Sequence, residues 1–543
     1  MLVLVAVILA AVAGIAAATL WRPETEPTAL GAPRFVEEAG AAGLFHAYDG
    51  EFMFFVGGGV AAFDCDGDGR QELYLAGGSR PAGLFRNLSP VGGALRFEAI
   101  PSPETDLAEV TGAYPLDIDG DAVTDLAVLR LGENVLLRGL GDCRFERAND
   151  AWDYDGGEGW TAAFSATWEP REEFPTLAFG NYLIPASVED GSYVCDDNEL
   201  VRPKADGTAF GSPIRLSPGW CPLSLLFSDW DRSGRRDLRV SNDRHYNRNG
   251  AEQLWRIEPL EPPQAWTLEE GWQQVRIWGM GIASQDLTGD GYPEIYLTSQ
   301  ADNRLQTLAD GPSEPRFKDI AIDRKATAHR PYTGGDDLPS TAWHAQFEDV
   351  NNDGFMDLFV AKGNVEAQGE YAVRDPSNLL IGQADGTFVE GAIDAGIVEY
   401  LRARGAAMTD LNLDGLLDLV VVNRRENVSL WRNVGAGEAA QPEPMGNWVA
   451  LKLEDDSSRN RDAIGAWIEV DVGDRTIHRE VTVGGGHASG QLGWMHVGIG
   501  QAQGAEVTVI WPDGMRGEAQ TVEANQFVVL PRGEDPVFWQ PAD

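Results

Sequence analysis

The chain has 543 residues, 43% of them apolar, with 63 glycines and 30 prolines, enough for two to four ordinary domains, or one large repeat array with a partner domain, rich in turns. Its formal net charge of −43 excludes the basic footprint that nucleic-acid binding needs and argues against attraction to anionic membrane surfaces. The acidic excess reads either as a solvated surface or as an inventory of cation ligands, and spacing has to decide between them.

Residues 1–21, MLVLVAVILAAVAGIAAATLW, carry no charged side chain. Small residues at Ala16–Ala18 fit a signal-peptidase site, and about 20 apolar residues also suffice to span a bilayer. A cleaved signal peptide and an uncleaved membrane anchor both deliver the body to an extracytoplasmic space, periplasmic or secreted. Residues 22–33 are polar and proline-rich and read as a linker. Four cysteines follow, Cys65, Cys143, Cys195 and Cys221, with no CxxC spacing. That disfavours zinc and suits disulfides in an oxidising compartment. Cys195 with Cys221 is the preferred pair, then Cys65 with Cys143, among three possible connectivities.

From Asp64 onward short Val/Ile/Leu/aromatic runs are bounded by Gly, Asp, Asn and Pro, the signature of strands. DCDGDGRQEL at Asp64 recurs as DIDGDAVTDL at Asp117, DWDRSGRRDL at Asp229, DLTGDGYPEI at Asp286, DVNNDGFMDL at Asp349 and DLNLDGLLDL at Asp410. The starts lie 53, 112, 57, 63 and 61 residues apart, so the long interval holds a seventh unit near residue 170. There ATWEPREEFPTLAFGNY keeps the flanking pattern without the acids. Each unit has a small-residue segment before the loop, a strand such as LYLA or LVVV after it, then a marker such as LFRN or LWRN and an aromatic. Four short strands per unit predict propeller blades. RFVEEAGAAGLF (34–45) resembles the blade end TFVEGAIDAGIV (387–398), and the last unit stops at LWRN without its aromatic strand. The expected architecture is therefore an all-β, seven-bladed β-propeller over residues 34–436, with an N-terminal strand closing the last blade.

Alternate oxygen side chains around a glycine let a short loop wrap one hard cation. The candidate ligands are positions one, three, five and nine, with the carbonyl of position seven. These are Asp64, Asp66, Asp68, Arg70 and Glu72; Asp117, Asp119, Asp121, Val123 and Asp125; Asp229, Asp231, Ser233, Arg235 and Asp237; Asp286, Thr288, Asp290, Tyr292 and Glu294; Asp349, Asn351, Asp353, Phe355 and Asp357; and Asp410, Asn412, Asp414, Leu416 and Asp418. An EF-hand closes with Glu at position twelve between helices, so this is not one. Convergence of four or more protein oxygens favours Ca²⁺ over Mg²⁺, giving up to six structural ions. Ser233 and Thr288 mark the two weakest loops. These loops resemble the FG-GAP/VCBS-type repeats of integrin α-subunit propellers and of many exported bacterial proteins, and the resemblance implies Ca²⁺ in each.

After a linker at 437–446 the pattern becomes GNWVALKLE, AIGAWIEVDV, RTIHREVTV, GWMHVGIG, AEVTVIWP and QFVVL, a small β-sandwich over 447–532 followed by a tail at 533–543. Asn460–Ala466, Gly484–Gly486, Val497–Gly500 and Trp511–Gly514 make it similar to the ASPIC/UnbV domain of cartilage acidic protein and its bacterial relatives. None of the seven histidines forms HExxH, and GxSxG and phosphate loops are absent. His344 reads as a packed or capping residue, and GGGH at 484–487 as a turn on the sandwich. The leading expectation is an extracytoplasmic calcium-binding scaffold, more a binder than an enzyme, for a protein, a polysaccharide or a membrane complex. The alternative is a glycan hydrolase or lyase with its site in the propeller funnel.

Overall fold

A computed structural model describes residues 28–205 and 207–542. The expected signal or anchor, and most of the first linker, lie outside the described residues. Among the described residues no helix is long and apolar enough to cross a membrane. The described residues are all-β and propeller-like: their strands form nine sheets, most of them four-stranded and antiparallel.

Seven sheets follow one another along the chain. Their first strands are Val60–Phe63, Val110–Leu116, Thr161–Thr167, Pro222–Ser228, Gly279–Gln285, Ala342–Glu348 and Ala403–Thr409, all largely buried. The first strand of each sheet contacts that of the next, and Ala403–Thr409 contacts Val60–Phe63. Six of the seven carry a register shift near their start, which adds the local twist of a bulge. The fourth strands, such as Phe97–Ala99, Phe145–Arg147 and Phe317–Asp319, bury one aromatic and expose the rest.

The last of these sheets takes its fourth strand from the N-terminus. Phe35–Glu37 pairs antiparallel with Ser429–Asn433, Val36 opposite Arg432. A four-residue helix, Ala39–Ala42, follows it and ends at Gly43, as Ala392–Ala395 ends at Gly396, both glycines left-handed. Arg432 grips the Glu38 carboxylate through Nε and Nη2 at 3.0–3.1 Å, both side chains being buried.

Two further four-stranded sheets face each other as a C-terminal sandwich around Val449, Leu451, Ile468, Val470, Val497, Val507 and Val528. It reaches past residue 532. Val537–Trp539 forms an edge strand on Phe527–Val529, held by Trp539 packing on Trp494 and Phe527, so the middle of the expected tail belongs to the sheet.

GGGH departs most from expectation. It is not a surface turn. Residues 483–491 leave the sandwich and run among the first strands of all seven sheets. Val483, Gly484, Gly486 and Ser489 bridge Ala166, Leu226, Ile282 and Ala113. Gly490 and Gln491 pair in parallel with Ala61 and Ala62. The His487 N–H donates to His344 Nδ1, and Gln491 Nε2 donates to the Met408 carbonyl. Glycines in the first strands make the room. A Cβ on Gly59 would stand 1.7 Å from the Ala488 carbonyl, and one on Gly405 2.3 Å from Ser489 Oγ. From the opposite side come residues 50–57, and the Gly57 N–H donates to His487 Nε2 at 3.1 Å. His344 is thus a packed, capping residue, as expected.

Candidate metal centres

Each acidic loop joins the first strand of a sheet to the second, and its position-nine acid opens that second strand: Glu72, Asp125, Asp237, Glu294, Asp357 and Asp418. One geometry repeats. The N–H of position six donates to the position-one carboxylate, from Gly69, Ala122, Gly234, Gly291, Gly354 and Gly415, at 2.6–3.1 Å. The N–H of position seven donates to the side chain of position five. Positions four and six both have positive φ in every loop, and the need at position four was not read from the sequence, although Gly67, Gly120, Gly289 and Asn352 signal it. The position-nine acid has backbone partners of its own. In five loops one oxygen takes the N–H of position two (Cys65, Ile118, Leu287, Val350, Leu411). The other reaches the third strand, at the N–H of Asn87, Gly139, Gly382 and Asn433 or the hydroxyl of Thr307. It staples three strands.

Charge compensation separates the loops. In the sixth, Asp349, Asp353 and Asp357 are at most 2% exposed. In the seventh, Asp410 and Asp418 are buried and Asp414 is half-buried. Among the described residues no Lys, Arg or His nitrogen lies within 4 Å of any of these six carboxylates. Burial, then repulsion from the neighbouring aspartates, pushes Asp349, Asp357, Asp410 and Asp418 well above the usual carboxylate range. Asn412 is fully buried at position three. Its amide nitrogen donates to Gly93 and Asp414, while its Oδ1 has no donor at all. A buried oxygen without a partner among carboxylates costs about 1–3 kcal/mol unless something positive meets it. In the second loop Asp119 Oδ1 is orphaned in the same way. The donor set is all oxygen, which suits a hard divalent cation.

In the first loop, ligand oxygens of Asp64, Asp66 and Glu72 lie within 4.8 Å of one another, as do those of Asp117, Asp119 and Asp125 in the second. Burial raises Glu72 to about 9 and Asp117 to about 7. Arginines of the third strands lean over these loops: Arg86 Nε stands 3.3 Å from Asp66, and Arg138 Nε 2.8 Å from Asp119. The fifth loop meets His478, whose Nδ1 is 2.8 Å from Asp286 Oδ2, and burial raises Glu294 to about 7. The fourth loop supplies its own cation. Arg235 turns back so that its Nε donates to Asp237 Oδ1 at 2.9 Å, while Trp230 and Trp266 donate to Oδ2. The sequence points to the Arg235 carbonyl as a ligand; in the fold its guanidinium reaches the carboxylates.

The sandwich covers this loop-bearing face. Glu480 accepts the Asp229 N–H, Arg475 donates to the Asp353 carbonyl, His496 meets Asn352, and Trp448 lies against Gly415. Arg459 reaches the Asp119 carbonyl and Trp494 that of Gly69. No local pattern in the sequence signalled these partners. The disulfides are Cys65–Cys143, beside the first loop, and Cys195–Cys221.

Residues 349–421 match the family model described as FG-GAP-like repeat, and residues 456–537 the one described as ASPIC and UnbV. Cartilage acidic protein 1 of Xenopus tropicalis is 25% identical over 259 residues, 45% of this chain and 35% of that protein. The chain therefore spans about a third of that relative's length. Among solved structures, BBS1N in complex with ARL6DN aligns over 72% of this chain and 95% of its own at TM-score 0.41 and 13% identity. An Agrocybe aegerita lectin, described by its recognition of non-reducing terminal N-acetylglucosamine, aligns over 63% and 82% at TM-score 0.37 and 15% identity. At such scores neither bears on what this chain binds. The chain carries an FG-GAP-like repeat and, after it, an ASPIC and UnbV domain.

Proposed function

We propose that this chain is an extracytoplasmic, calcium-stabilised scaffold that binds a protein or polysaccharide. Its seven consecutive sheets are the blades of a closed ring over residues 34–436, and Phe35–Glu37 completes the last blade. The ASPIC/UnbV-like sandwich is seated on the loop face. The observation that carries the reading is the crowding of six carboxylates in the sixth and seventh loops, five of them buried, with no basic nitrogen within 4 Å of any of them among the described residues. A cation held there turns repulsion into cross-links, and its binding free energy becomes folding free energy. FG-GAP-like repeats often bind calcium, and calcium suits four or more converging protein oxygens better than magnesium. Five loops take an ion; the fourth is filled by Arg235. Two disulfides fit an oxidising, extracytoplasmic compartment, where millimolar calcium suits such sites. A funnel enzyme finds little support. The chain's own residues 483–491 and 50–57 meet inside the body, and the cavity beside them, lined by Gln71, His344 and Gln346, holds only about 220 Å³, below the ~300–1,000 Å³ of ordinary ligand pockets.

The test is calorimetric unfolding of the purified protein in calcium and after chelation, with bound metal counted by mass spectrometry of the ion. A rise in Tm of at least ~10 °C in millimolar calcium, absent with magnesium and accompanied by about five ions per chain, is expected. Equal melting in both conditions would sink the proposal.

A further inference from the structure

On the face away from the acidic loops, the turn between the second and third strands of the fourth sheet reads DRHYNRNGAE, residues 243–252. It gathers basic side chains in a molecule that has twice as many acids as bases. Arg244 donates through Nη1 to the Arg276 carbonyl and through Nη2 to the Arg248 carbonyl, so the backbones of Arg248 and Arg276 both adjoin its guanidinium, which also lies 5.4 Å from the Trp278 ring, while Arg276 Nη2 donates to Gln274 Oε1. Arg248 and Arg276 are exposed and Arg244 is half-buried. Among the described residues no carboxylate lies within 4 Å of any of their guanidinium groups, whereas most arginines of this chain have one. Arg244 Nε is buried without an acceptor. The nearest acid in sequence, Asp243, is turned inward and engaged by the Tyr182 hydroxyl and the His245 N–H.

Aromatic rings adjoin the patch. Tyr193 and Tyr246 stack at 5.3 Å with their planes 16° apart, and Tyr193 remains 39% exposed. They come from different sheets. Tyr193 rides on the long turn of the third sheet, and the Cys195–Cys221 bridge ties that turn to the start of the fourth, where the Cys221 carbonyl accepts the Asp243 N–H. A covalent link therefore ties the turn that carries Tyr193 to the sheet that carries Tyr246 and Arg244 before any ligand arrives. The surface is shallow rather than pocketed.

We propose that Arg244, Arg248, Arg276 and the Tyr193–Tyr246 stack form a docking surface for an acidic polysaccharide whose uronate carboxylates lie on the guanidinium groups and whose sugar rings lie on Tyr193. This rests on the reading of the chain as a binding scaffold and names its partner. Guanidinium forks match carboxylates in pairs. Like charges held together without counter-ions lower their energy by taking an anion, and at physiological ionic strength the rest of the acidic surface is screened beyond about 8 Å. An acidic peptide would meet the arginines equally well but would make little use of an exposed flat ring, which favours the sugar.

Titration calorimetry of the calcium-loaded full chain tests this with three probes: a hyaluronan hexasaccharide, a galacturonate hexamer and poly-L-glutamate, with a neutral glucose hexamer as control. Binding of at least one uronate oligosaccharide and not of the neutral one is expected. It should weaken at least tenfold in R244Q/R248Q/R276Q and at least threefold in Tyr193→Ala, with Tm and stoichiometry of calcium unchanged. Binding to neither uronate probe at millimolar concentration overturns the proposal. So does equal binding by the triple variant, or tighter binding of poly-L-glutamate that survives in Tyr193→Ala. Failure of the calcium reading would show separately, as a Tm indifferent to chelation, a measurement in which these residues take no part.

Discussion

Ala122 occupies position six of the second loop with φ 67°, where the other five loops place glycine near φ 80–88°. A β-carbon in the left-handed region costs about 1–2 kcal/mol, partly offset by the lower entropy of alanine in the unfolded chain. Ala122→Gly should therefore stabilise the protein by roughly 0.5–1 kcal/mol, read as a higher denaturant midpoint at unchanged slope; a lower midpoint would show the left-handed cost to be misjudged. Arg235 gives a second residue-scale prediction. Its guanidinium neutralises Asp237 and stands 3.8 Å from Asp231. Arg235→Ala strips the fourth loop of its internal cation and leaves its acids as crowded as those of the sixth. In low calcium the variant should lose about 2–4 kcal/mol, the cost of stranding a buried charge. In saturating calcium it should bind one more ion per chain than the parent and recover much of the loss. Unchanged stoichiometry would show that Ser233 leaves too few ligands.

At the scale of the element, the inserted segment sets the pH response. His344 and His487 are buried, and burial lowers them to about 4 and about 3, with Arg404 and the other histidine opposing protonation of His487. Both folded values lie below the unfolded value near 6.5. Their contribution is thus whole above pH 6.5 and is lost as pH falls toward 4 and then 3, by up to about 1.4 kcal/mol per histidine per pH unit. Loop carboxylates such as Glu72, Asp117 and Glu294, raised by burial, act with the opposite sign in the metal-free protein, favouring the fold as they protonate. The histidine part is therefore read as a difference. In chelator, the gap in unfolding free energy between the parent and His344→Gln should narrow steadily from pH 6.5 to 4. A constant gap would mean that His344 takes up its proton in the fold as readily as in the unfolded chain, so that burial does not lower it. The six loops were legible in the sequence because one turn geometry, with the position-six N–H on the position-one carboxylate and an acid opening the second strand, imposes fixed spacing on neighbouring residues. The N-terminal strand was legible because 34–45 repeats a blade end. The path of Thr482–Leu492 was not: GGGH satisfies turn chemistry locally, and what carries it inward is space left by Gly59, Gly112 and Gly405, all remote in sequence. Arg235 misled for a similar reason, since spacing fixes where its carbonyl goes and says nothing of a side chain that curls back.

For the whole molecule, the ions proposed above would make one thermodynamic unit with the inserted segment and the sandwich. The sandwich touches all six loops through residues such as Arg459, Glu480, His478, Arg475, Trp448 and Trp494. The segment it sends inward bonds to the first strand of every sheet. Opening a loop by removing its cation sets buried carboxylates against each other directly beneath that contact surface, so chelation should loosen the sandwich as well as the sheet. Amide hydrogen exchange reads this at a distance from the metal. The N–H groups of Gly485, Gly486 and His487 donate to Leu225, Ile282 and His344 and should be strongly protected in calcium. After chelation their exchange should accelerate by roughly 100-fold, equivalent to about 2.7 kcal/mol of lost opening free energy. The strands around Val449 and Ile468 in the sandwich core should change far less, because that core is apolar and closes on itself. Exchange at 485–487 indifferent to calcium would show the inserted segment to be held by the sheets alone, and the loops to stabilise only the strands that flank them.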